Sequence, residues 1–146
     1  MTGRTLQDVG ILVVEDEYFI AAELERALVA WGARVIGPFS RSEQARVALQ
    51  QGQSPSAAVL DINIGGTLIY PLAEELRAAG IPVVFTTGYD VSVIPAEFKT
   101  IPLLVKPIEF RQLTEILGRT FRGIEVTGTA DGNRTSVSAG RGRPGD

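Results

Sequence analysis

The chain has 146 residues, enough for one compact domain, and 45% of them are hydrophobic, an ordinary share for a globular protein. It carries 14 basic and 17 acidic residues for a formal net charge of −3, so there is no general basic surface to bind nucleic acid by charge. It contains no cysteine and no histidine, which excludes disulfides, thiolate and histidine acid–base catalysis, the usual triads and any imidazole or thiolate metal site; a metal would have to be held by oxygen.

Residues 1–9 form an N-terminal lead without the apolar stretch of a secretory signal. No apolar run approaches the ~20 residues of a membrane helix, so we expect a soluble, cytoplasmic protein with no membrane partner. The first apolar run, Ile11–Val14, has strand length and ends in Glu15-Asp16. Ile20, Leu24, Leu28 and Trp31 then share one face of a helix, and Gly32 suits the left-handed residue that closes it. Arg34–Ile36 is a second run. Ser40-x-x-Glu43 reads as a capping box opening a second helix, which Gly52 closes. The third run, Ala57–Leu60, ends in Asp61, with Asn63 and a tight-turning Gly65-Gly66 pair behind it.

Leu68, Leu72, Leu76 and Ala79 stripe a third helix whose start Tyr70-Pro71 shapes and whose end Gly80 marks. Val83–Thr86 is a fourth run, followed by Thr87-Gly88. From Gly88 to Thr100 the helical pattern is weak: Val91, Val93 and Ile94 are β-branched and Pro95 interrupts, so a short or irregular fourth helix is predicted. The fifth run, Leu103–Val105, ends at Lys106-Pro107, and Phe110, Leu113, Leu117 and Phe121 stripe the last helix. Residues 122–146, rich in Gly, Ser, Thr and Arg, read as a disordered tail.

Near-continuous apolarity in the short runs indicates strands covered on both faces. Strands alternating with helices predict a doubly wound α/β domain over residues 10–121, with a five-stranded parallel sheet in the order 2-1-3-4-5, flavodoxin-like. Ligands bind such sheets beyond the carboxyl ends of the strands, at the switch point between strands 1 and 3. Glu15, Asp16 and Asp61 end those two strands. Two like charges 4 Å apart repel by ~4 kcal/mol at an effective dielectric near 20, so the cluster needs a cation or a proton. A hard divalent ion, magnesium best and manganese next, fits few carboxylates plus a phosphate oxygen. Lys106 adds a fixed positive charge and Thr87 a hydroxyl, a set suited to phosphoryl transfer with Asp61 as the nucleophile. The backbone carbonyl of Asn63 is a further candidate ligand.

Residues 10–121 resemble the receiver domain of two-component response regulators. The likeness rests on Val13-Val14-Glu15-Asp16, Leu60-Asp61-Ile62-Asn63, Thr87-Gly88 and Lys106-Pro107, in that order and at approximately the family's spacing. It implies that Asp61 accepts a phosphoryl group from a histidine kinase. It also implies that Asp16, Asp61 and the Asn63 carbonyl bind magnesium with Glu15 acting through water, and that Thr87, Gly88 and Lys106 grip the phosphoryl group. A cis peptide at Lys106-Pro107 is implied too. Pro82–Tyr89 resembles more narrowly the receivers with a Phe-Ala-Thr-Gly-Tyr stretch, common in alphaproteobacterial stress signalling and often paired with HWE-type kinases; Thr86 stands where their Ala does.

Most receivers carry an aromatic switch residue where this chain has Leu103, so Tyr89 and residues 89–100 are the expected switch. The resemblance implies a stand-alone receiver acting through a downstream protein partner, as a phosphate sink, or as a relay. Such a protein is no enzyme beyond catalysing its own dephosphorylation. Competing readings are a pseudo-receiver working without phosphorylation and a haloacid-dehalogenase-like phosphohydrolase, though Asp61-Ile62-Asn63 lacks that family's second acid.

Overall fold

The computed structural model describes residues 9–88 and 94–120. In chain order the elements are β1 (Gly10–Val14), α1 (Tyr18–Ala30), β2 (Arg34–Phe39), α2 (Ser42–Gln50), β3 (Ala57–Asp61), β4 (Asn63–Ile64), β5 (Thr67–Leu68), α3 (Tyr70–Ala78), β6 (Val83–Thr87), β7 (Leu103–Val105) and α4 (Phe110–Thr120). The five longer apolar runs form one parallel sheet in the order β2-β1-β3-β6-β7, the doubly wound order that alternating strands and helices require.

Side chains alternate across this sheet and each row meets its own helices. Leu12, Val14, Leu60 and Phe85 pack with Ala45 of α2 and Leu72, Ala73 and Leu76 of α3. Ile11, Val13, Val59, Val84 and Leu104 pack on the other face with Leu24 and Leu28 of α1 and Leu113 and Leu117 of α4. β1 and β3 are buried along their whole length, which is why their sequences read as unbroken apolar runs. The register aligns the strand ends: Val14 lies beside Leu60, Asp61 beside Thr86, and Thr86 beside Leu104.

Several local expectations shift. α2 opens at Ser42, and it is Gln44 rather than Glu43 that reaches back, its Oε1 accepting the N–H groups of Ser40 and Arg41 at 3.0 and 3.1 Å. α3 opens at Tyr70 with Pro71 in its first turn, so Leu68 falls before it and is 51% exposed, while Ile69 is fully buried instead. β2 runs on past Ile36 through a cis Gly37-Pro38 peptide, and its register with β1 shifts between Leu12 and Val14. Residues 94–120 include a 3-10 turn at Ala96–Phe98 in place of a regular helix there. Tyr89, Val91 and Val93, the stripe residue Phe121, the residues 122–146 and the lead before Val9 lie outside the described residues.

Candidate functional site

The site is assembled from the carboxyl ends of four strands. β1 delivers Glu15 and Asp16, β3 delivers Asp61, β6 delivers Thr86 and Thr87, and β7 leads into Lys106. Alternation puts Glu15 and Asp61 in the row of Ile11, Val13 and Val59, on the face that α1 and α4 cover. Lys106 starts beyond β7, two strands away from β3. Its arm passes over β6 at Gly88, where a Cβ would lie 3.9 Å from Lys106 Cδ. Its ammonium then lies 2.8 Å from Asp61 Oδ2 and 3.2 Å from Glu15 Oε2. Glu15 Oε1 is 3.1 Å from the same nitrogen as an ion pair, but without hydrogen-bond alignment.

Burial decides the charges here. Glu15 is 2% exposed. That burial, joined by repulsion from Asp61, pushes its carboxyl up to about 7, against the pull of the Glu17 backbone N–H and Lys106. Burial pulls the Lys106 ammonium down, but its hydrogen bonds to Asp61 and Glu15 outweigh this and hold it above its ordinary value. One lysine therefore only partly compensates two buried carboxylates. Each of Glu15, Asp16 and Asp61 offers a carboxylate oxygen within 4.8 Å of the others. An all-oxygen donor set, a buried Oε1 short of a hydrogen bond and an acid driven toward its neutral form fit a hard divalent cation.

The β4–β5 hairpin frames this cluster. Asp61 Oδ1 accepts the Asn63 N–H at 3.3 Å. Asp16 Oδ2 accepts the Gly65 N–H at 2.7 Å, and Asn63 Oδ1 accepts the Gly66 N–H at 2.9 Å. Gly65 and Gly66 both take positive φ, 58° and 87°, which L side chains rarely adopt. The Asn63 side chain thus fastens the turn that Gly65-Gly66 make, a local side-chain-to-backbone bond of the kind Asn favours in loops.

The remaining candidates are placed as follows. The Lys106-Pro107 peptide is cis, and the Lys106 N–H donates to the Thr87 carbonyl at 2.8 Å. Thr87 is buried, but alternation sets it in the row of Val83 and Phe85, opposite Asp61. Thr86 is the β6 residue beside Asp61, and sequence reading gave it no role. Leu103 is half-buried beside Phe85, and Gly88 is exposed. Tyr89 lies outside the described residues.

No protein-family model matches the chain. The phyllosphere-induced regulator PhyR of Methylorubrum extorquens is 26% identical over 113 residues, 75% of this chain; the chain spans 42% of the length of that curated relative. SdrG from Sphingomonas melonis Fr1 is 33% identical, with a TM-score of 0.63 over 78% of this chain and 95% of SdrG. The BeF3-activated conformation of SdrG, there from Pseudomonas melonis Fr1, is 32% identical with a TM-score of 0.64 over 75% of this chain and 92% of that one. A response regulator receiver protein from Sinorhizobium medicae WSM419, 22% identical, shares the fold with a TM-score of 0.66 over 77% of this chain and 93% of its own. Among the described residues no helix is long and apolar enough to cross a membrane.

Proposed function

The chain belongs to the receiver domains of response regulators, and from that premise we propose that it accepts a phosphoryl group on Asp61 from a histidine kinase. The observation that carries this reading is Asp61 itself. It is a 4% exposed carboxylate at the central strand's end, held by Lys106 Nζ at 2.8 Å and flanked by two further acids.

In the transfer an Asp61 oxygen attacks phosphorus and the P–N bond to the kinase's phosphoimidazole breaks. The imidazole departs neutral with one proton on its ring. Lys106 keeps a positive charge at the reacting oxygen, and the Asn63 N–H orients the carboxylate from its other side. Thr87 and Gly88 stand at the carboxyl end of β6, where the family places donors to the phosphoryl oxygens; Thr87 starts from the row opposite Asp61 and must turn past the strand end to donate. Glu15, Asp16, Asp61 and the Asn63 carbonyl would hold magnesium or manganese. When bound, that ion neutralises charge on the carboxylates and phosphoryl oxygens.

The output is contact with a protein partner, or drainage or relay of phosphate, without multi-turnover hydrolysis of phosphate esters. The kinase is of the HWE type, and the setting is the cytoplasm. SdrG, the 33% identical relative, supports the phosphorylated reading because it has been solved in a BeF3-activated conformation.

The test is phosphorylation by a small-molecule phosphodonor in Mg2+, read by intact mass, with Asp61→Asn alongside. The parent should gain one phosphoryl group and the variant none. A parent that stays unmodified with small donors and with candidate kinases, or a variant that is modified equally, would remove Asp61 as the acceptor.

A further inference from the structure

Thr86 is buried to 1% exposure, and its hydroxyl makes no hydrogen bond to any described residue. A hydroxyl sealed from water without a partner is disfavoured, and a methyl group would fill the same space at no polar cost. Its placement is equally specific. Thr86 is the Cα partner of Asp61 on one side and of Leu104 on the other, in strands about 4.8 Å apart, and it shares the sheet face of Asp61. The Lys106 arm crosses β6 above it, past Gly88, to reach Asp61. Leu104 offers no side-chain acceptor, and the Asp61 oxygens, which accept from the Asn63 N–H and from Lys106, accept nothing from the Thr86 hydroxyl. In the resting protein the Thr86 side chain therefore shares the row of the acceptor carboxylate, and its hydroxyl has no hydrogen-bond partner among the described residues.

We propose that Thr86 is a positioning residue for the loaded state, its hydroxyl donating to an oxygen of the Asp61 side chain once that side chain carries a tetrahedral anion. This rests on the reading of Asp61 as phosphoacceptor. Loading brings new oxygen acceptors to the Asp61 side chain, the Cα partner of Thr86 in β3, and redistributes the contacts of Lys106. The unpaired hydroxyl then gains a partner, so the group that is disfavoured at rest becomes favourable in the phosphorylated form. The two states respond to its removal with opposite signs.

Thr86→Val is nearly isosteric and deletes the hydroxyl, and Thr86→Ser keeps it. Binding of trifluoroberyllate in Mg2+ is titrated by fluorine NMR, with Asp61→Asn as the negative control, and the resting proteins are compared by thermal melting. Thr86→Val should bind the anion about tenfold more weakly, the loss of one hydrogen bond to a charged group, and melt no lower than the parent at rest. Thr86→Ser should restore the affinity. A Thr86 that served packing alone would leave the anion affinity of Thr86→Val untouched.

Equal affinity of Thr86→Val and the parent overturns the proposal while leaving Asp61 as acceptor. A parent that binds no trifluoroberyllate overturns the acceptor reading and the Thr86 role together. Should Thr86→Val not fold, Thr86→Ala carries the same comparison.

Discussion

Replacing Lys106 with Met keeps the length and bulk of the arm and deletes its charge. The ammonium lies 2.8 Å from Asp61 and 3.1 Å from Glu15, with the three side chains 14%, 4% and 1% exposed in the order Lys106, Asp61, Glu15. Without it, two buried carboxylates whose oxygens come within 4.8 Å face each other uncompensated. At an effective dielectric near 20 that repulsion is about 3.5 kcal/mol, in line with the roughly 3–5 kcal/mol that removing one partner of a buried pair costs. Glu15 limits the loss by taking a proton, which its position near 7 makes easy. In urea unfolding at mildly alkaline pH with chelator present, Lys106→Met should therefore lose about 2–4 kcal/mol. Asp61→Asn alone leaves Lys106 on Glu15 and should stay within about 1 kcal/mol of the parent. Combining the two should recover about 1–3 kcal/mol of the Lys106→Met loss, since the repulsion is gone. If Lys106→Met unfolds at the parent's urea midpoint, or costs the same with and without Asp61, the ion pair is not what holds this site together.

Two further outcomes follow from the same geometry. Magnesium at 100 times its dissociation constant should add about 2.7 kcal/mol to the parent's stability, seen as a raised melting point, and Glu15→Gln should lose most of that gain; a parent insensitive to magnesium would remove the acidic cluster as a divalent site. Phe98→Ala should cost about 3 kcal/mol in urea unfolding, because the ring is buried, stacks on Tyr70 at 4.7 Å between centroids and lies under the Arg77 guanidinium at 5.5 Å; a loss below about 1 kcal/mol would mean the 3-10 turn is not anchored by this ring.

The sheet was legible because its strands are buried on both faces, and burial of that kind writes uninterrupted apolar runs such as Ile11–Val14 and Val83–Phe85. Their polar endings were legible for the same reason: the apolar run stops where the strand leaves the core. Features fixed by contacts between distant segments left no local pattern. β2 extends to Phe39 because the Phe39 carbonyl accepts the Glu15 N–H at 2.8 Å, and nothing in Gly37-Pro38 announces it. Gly37 itself is required there: at φ +103° a Cβ would lie 2.7 Å from the Phe39 nitrogen and 2.9 Å from the Val13 oxygen. Leu68 was read into the α3 stripe because Leu68 and Ile69 are both apolar, and only the hairpin ending at Leu68 decides which one turns inward. In the site, the order of acids, hydroxyls and lysine was visible, but the choice between Thr86 and Thr87 as the neighbour of Asp61 needs the register of β3 against β6.

The same alternation separates chemistry from packing across β6. Asp61, Thr86 and Lys106 meet on the α1 and α4 side, while one residue along, Phe85 faces the α3 side between Leu60 and Leu103. With Leu at 103, the aromatic bulk on that side comes from elsewhere: Phe85 meets Tyr70 at 5.8 Å and Phe98 at 6.1 Å, both edge-on, so strand, helix and 3-10 turn form one ring cluster. Arg77 closes it by donating to the Glu97 carbonyl at 3.1 Å while covering the Phe98 ring. Thr87 lies two residues beyond Phe85 on this same face. Packed interiors leave little slack, and Phe85 joins the carboxyl end of β6 to the Ala96–Phe98 turn through direct ring contact. The ring contacts thus tie β6 to α3 and to the turn after Pro95, with Leu103 rather than an aromatic ring on β7.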